Sequence, residues 1–254
     1  MQIWMARTLV AFEVVGIGVL AYVGAHRAPP GRSSLGADMQ LMVALLLVLV
    51  CSGLFMKIRQ AWSTRMLWEW MFVGMGLLGA WMYPRWVFPG GVGMVLGAFC
   101  AFLPFFWSTK REIRLLAFWV GAAGAALLLA SSLQASSLWV LFVGFCLYDG
   151  FATRSAASLA AFLRALSVRR GVSTELVSMT GLKTEIWPSY VILPAALVAQ
   201  AVWRAPVQGV VLLLALLIGA WYAIMRAEDN VPLRILPWAM LWMLVAQGLL
   251  WWVS

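Results

Sequence analysis

The sequence predicts an all-α, polytopic membrane protein with about nine transmembrane helices, each near the ~20 residues that a bilayer crossing needs. Three observations predict it. Of the 254 residues, 64% are hydrophobic and only 11% are charged, whereas an ordinary soluble domain is about a quarter charged. The apolar residues recur in runs long enough to cross a ~30 Å hydrocarbon core, without the alternation of an outer-membrane strand. The Lys and Arg behind the net charge of +9 sit mainly in short stretches between those runs. Helices are then the structure that satisfies every backbone group inside lipid.

Nine spans follow in order: 3–25, 38–56, 66–83, 89–108, 113–132, 136–153, 175–203, 206–225 and 234–253. The first is longer than a signal-peptide core, holds Glu13, and has only Arg7 in its flank, so it is expected to be retained although Ala28-Pro29-Pro30-Gly31 follows it. The second ends at the Lys57 and Arg59 cluster, and the third opens after Arg65. Arg85 precedes the fourth, and Lys110, Arg111 and Arg114 mark the start of the fifth. The longest polar segment, 154–174, separates the sixth from the seventh. Pro, Gly and charged residues bound most of the spans, and the shorter ones imply tilt or local thinning of the bilayer. The chain reads as one transmembrane domain, with a five-helix part over 1–135 and a four-helix part over 136–254.

Charge assigns the orientation. With the N-terminus inside, the cytoplasmic segments hold thirteen cations: Arg7, Lys57, Arg59, Arg65, Lys110, Arg111, Arg114, Arg154, Arg164, Arg169, Arg170, Arg226 and Arg234. The outer segments hold four: Arg27, Arg32, Arg85 and Arg204. This asymmetry predicts a cytoplasmic N-terminus and an outer C-terminus. Of 16 Trp, many lie near span ends, among them Trp4, Trp62, Trp86, Trp107, Trp203, Trp251 and Trp252, the pattern of an interfacial aromatic belt.

The same composition excludes several functions. No basic stripe interleaved with exposed aromatics is present, so nucleic acid is not an expected partner; the lipid bilayer is. His26 is the only histidine and lies in a loop, which excludes a multi-His metal or haem site. Cys51, Cys100 and Cys146 all fall within apolar runs and read as small buried hydrophobes. No metal and no cofactor is expected.

Ionisable groups at membrane depth are costly and each needs a reason. Glu69 is near a span end and within one helical turn of Arg65. Glu13 is deeper, with Lys183 or another helix as alternative partners. Asp149 closes the sixth span, preceded by Tyr148 and followed by Arg154. The seventh span carries Gly181-Leu182-Lys183-Thr184-Glu185, then Pro188, whose missing N–H is expected to break the helical ladder there. The ninth opens with Pro232-Leu233-Arg234-Ile235-Leu236-Pro237.

Together these segments resemble the presenilin and signal peptide peptidase family of intramembrane aspartyl proteases. That family has nine spans with the N-terminus inside, Tyr-Asp in the sixth, Gly-Leu-Gly-Asp in the seventh and Pro-Ala-Leu before the ninth. Tyr148-Asp149 matches the first motif. Gly181, Leu182, Lys183 and Thr184 occupy the second, Pro188 falls where many members carry Pro, and Leu236-Pro237 keeps the register of the third. The likeness covers the C-terminal half; the first five spans agree in number only. It implies a groove for transmembrane-helix substrates, with Asp149 as one catalytic acid. The chemistry of such a site needs two carboxylates, one ionised and one protonated. Thr184 stands at the second Asp and cannot cycle protons, and Lys183 replaces a flexible Gly.

Three readings follow. The first is a degenerate member that keeps the fold, holds transmembrane helices and does not cleave, with a Lys183–Asp149 ion pair in the former active site. The second is an active protease using Asp149 and Glu185, although one residue of offset turns Glu185 by ~100° on an ideal helix. The third is a structural or assembly subunit of a larger membrane complex. A transporter is weaker, since two repeated halves with broken helices are not seen.

Overall fold

The computed structural model describes residues 2–28, 61–88, 90–106, 111–152, 188–226 and 235–253. Among them the fold is all-helical, with eight helices: α1 Gln2–Ala25, α2 Ala61–Val87, α3 Gly90–Phe106, α4 Arg111–Ser132, α5 Ala135–Ala152, α6 Pro188–Arg204, α7 Pro206–Arg226 and α8 Ile235–Val253. They overlap eight of the nine expected spans, and of the span 175–203 only the part from Pro188 is described. The remaining one, 38–56, lies outside the described residues. One helix, α7, is long and apolar enough to cross a membrane by length and composition. Shorter apolar helical stretches are Ala11–Ala25, Gly90–Cys100, Leu116–Ser132, Ala135–Leu147 and Ser189–Arg204.

Local chemistry explains the sharp links. Between α2 and α3 the chain reverses at Gly90, whose φ of 64° is a left-handed conformation that glycine adopts without penalty. Near the end of α4, the Ser131 and Ser132 hydroxyls both donate to the Leu128 carbonyl, offering the last turn an alternative to continued helix. Only Leu133 and Gln134 separate α4 from α5. Ala205 alone separates α6 from α7, because Pro206 disfavours helical backbone before it yet suits the first position of a new helix.

Close helix contacts set the directions. A Cβ added at Gly121 would stand 2.7 Å from the Gly76 carbonyl oxygen, and one at Gly79 would meet the backbone of Gly121, Gly124 and Ala125. Position rises together on both helices, so α2 and α4 are parallel. Gly16 faces Trp119 and Gly24 faces Leu127, which makes α1 parallel to α4. Gly93 against Arg85 and Gly97 against Trp81 make α3 antiparallel to α2. Gly209 lies on Tyr22 and Val202, and Gly18 on Leu213 and Leu216, so α7 runs against α1 and α6. Gly219 against Ala239 turns α8 back again. Phe145, late in α5, packs on Phe72, in the first half of α2, with ring centroids 5.7 Å apart. Helices α1, α2, α4, α6 and α8 therefore all start at one end of the bundle, here the near end, and finish at the far end; α3, α5 and α7 run the opposite way.

Helix α6 is the centre. Every side chain from Ser189 to Ala199 is buried, and the helix packs on α1, α2, α4, α5, α7 and α8. An apolar helix without a polar face is the kind that others surround. Small residues make the close approach possible: Ala122, Ala123, Ala125 and Ala126 of α4, and Ala195, Ala196 and Ala199 of α6, are all core residues. The described part of α6 starts at Pro188; the preceding residues of the expected span 175–203 lie outside the described residues, and with them the expected break at Pro188. The proline held inside α6 is Pro194.

Side chains tie the far end. The Tyr83 hydroxyl donates to the Leu20 carbonyl at 2.9 Å, and the Trp203 indole N–H donates to the Ala25 carbonyl at 2.8 Å. The Gln200 amide donates to the carbonyls of Ala130 and Leu133. Ala25, Ala130 and Leu133 lie at the ends of α1 and α4, where terminal carbonyls lack helical partners. The outer faces are apolar. Val207, Leu214, Trp221 and Met225 of α7, Leu241, Leu249, Trp251 and Trp252 of α8, and Val92, Val95 and Phe99 of α3 are exposed.

Candidate functional site

The near end is where the motif-bearing segments converge. Helix α5 arrives there with Tyr148 and Asp149 in its last two turns. Helix α6 leaves from there at Pro188, and α8 leaves with Leu236 and Pro237 in its first turn. The three helices pack on one another pairwise. The expectation that spans six and seven are neighbours, with span nine beside the same region, is met at the level of the helices. Gly181, Leu182, Lys183, Thr184 and Glu185 lie outside the described residues, and with them the expected contacts to Asp149.

Around this end the described side chains are mostly aromatic and small. Pro237 is partly buried, and Trp238 beside it meets Tyr222 of α7 edge-on, with centroids 4.5 Å apart. The Arg226 guanidinium stands 5.5 Å from the same Tyr222 ring, a cation–π contact at the end of α7. Ser189, in the first turn of α6, is fully buried. Cys146, one turn before Asp149 in α5, is also buried, as expected of a small hydrophobe; Cys100 is half-buried and Cys51 lies outside the described residues.

One residue gains significance from the fold. Glu13 is 2% exposed and is the only charged side chain in the described core. Helices α1 and α6 are parallel, and Trp203 on one reaches Ala25 on the other. Counting back along both from that contact brings Glu13 level with Val191, in the first turn of α6. The sequence shows an acid deep in span one; its burial and its level along the bundle depend on helix packing that no local pattern encodes. His26 instead sits exposed in the turn after α1, edge-on to Tyr22 at 5.0 Å.

No protein-family model matches the chain, and neither does any curated protein. What the fold defines is a class: among the described residues, an all-helical bundle built around a buried central helix, with one helix able to cross a membrane.

Proposed function

We propose that the chain is an integral membrane protein crossing the bilayer nine times, N-terminus cytoplasmic and C-terminus outside, whose near end carries a presenilin-like, non-cleaving site for transmembrane helices. The alternation of helix directions supports the crossing count. Helices α1 and α2 both finish at the far end, where Tyr83 bonds Leu20. Residue 28 therefore lies at the far end and residue 61 at the near end, and the nine-span reading joins them with the expected span over 38–56. Helix α7, with 21 residues, rises ~32 Å, which matches the hydrocarbon thickness. The apolar outer faces of α3, α7 and α8 suit lipid, since contiguous apolar surface of that kind is rare on a water-exposed monomer.

Charge sorts between the two ends. Arg7, Arg65, Arg111, Arg114 and Arg226 lie at or near the near end, while Arg27, Arg85 and Arg204 lie at the far end. With the thirteen-to-four split over the whole sequence, this favours a cytoplasmic near end. The observation that carries the functional reading is the mutual packing of α5, α6 and α8. Their adjoining ends hold Tyr148-Asp149, Pro188 and Leu236-Pro237. The order of these segments and their common end are those of the family that they resemble.

The site does not cleave in this reading because its chemistry is incomplete. Hydrolysis by paired acids needs one carboxylate to activate water and a second, protonated one to polarise the peptide carbonyl. A threonine such as Thr184 moves no proton at neutral pH, and Lys183 puts a cation in the motif where the family that it resembles carries a flexible Gly. Such a site retains a use in holding a helix. The experiment is reconstitution into vesicles with a helix-destabilised transmembrane peptide carrying a photo-crosslinker. The natural chain is expected to crosslink the peptide and leave it intact, and Lys183→Gly with Thr184→Asp to add cleavage. Cleavage by the natural chain, abolished by Asp149→Ala or Glu185→Ala, would establish the Asp149–Glu185 protease instead. Neither crosslinking nor cleavage would leave the assembly-subunit reading.

A further inference from the structure

We draw no further inference here: the strongest candidate, the buried Glu13 carboxyl on α1 level with the first turn of α6, carries nothing, because no cavity or bound group among the described residues shows what would reach it.

Discussion

Two glycines on α2, little more than one turn apart, are expected to respond to the same substitution with opposite signs. At Gly79 an added Cβ falls 2.6 Å from the Gly124 carbonyl carbon and meets the backbone of Gly121 and Ala125 as well. Non-bonded carbon contacts sit at ~3.5–4.0 Å, so α2 and α4 must part by about 1 Å for Gly79→Ala to fit. Overpacking of this kind costs about 1–3 kcal/mol, against which the better helix propensity of Ala returns about 1 kcal/mol. The obstacle is backbone on both sides, so no side chain can swing away. At Gly74 an added Cβ meets nothing within 4 Å. There the propensity gain stands alone, and Gly74→Ala is expected to stabilise by up to about 1 kcal/mol. The comparison cancels most effects of detergent and of the unfolded reference, since both changes add one methyl to one helix. Reversible unfolding in mixed micelles, followed by Trp fluorescence, measures both. Gly79→Ala proving as stable as Gly74→Ala would refute the close α2–α4 contact and the parallel register built on it.

Other outcomes test separate parts of the structure. Gln200→Leu removes the donors to the Ala130 and Leu133 carbonyls and is expected to destabilise by about 1–2 kcal/mol in the same unfolding assay; an unchanged midpoint would remove the far-end tie. Glu13→Lys places an ammonium where the native side chain is 2% exposed and is expected to cost more than about 3 kcal/mol. Wild-type expression and stability of that variant would mean that position 13 is not in the core. Single-cysteine variants in the 154–174 segment and at the C-terminus should label from opposite sides of sealed vesicles, and labelling from one side would sink the nine-span count.

Much of the helical layout is legible in the sequence because burial of apolar side chains acts on whole segments. A long apolar run bounded by Pro, Gly or Arg reads as a helix, and the runs at 3–25, 113–132 and 206–225 agree closely with α1, α4 and α7. Helix ends agree less well. The third run was bounded at 66–83, whereas α2 extends from Ala61 to Val87 through Pro84, since polar residues at a helix end need not stop it.

What the sequence by itself determined is the class: helical segments, their order, the signs of charge at their ends, and which residues carry acid, base or proline. These follow from transfer free energies and backbone chemistry, which act residue by residue. The tertiary structure decided the neighbours. Helix α6 became the centre, surrounded by six others, because its residues from Ser189 to Ala199 offer apolar and small side chains on every side. Glu13 came to lie level with α6's first turn, and α5, α6 and α8 came to share an end, through the packing of Gly and Ala surfaces far apart in the chain. Such contacts depend on which two surfaces fit, and shape complementarity between distant segments leaves no periodic trace in either one.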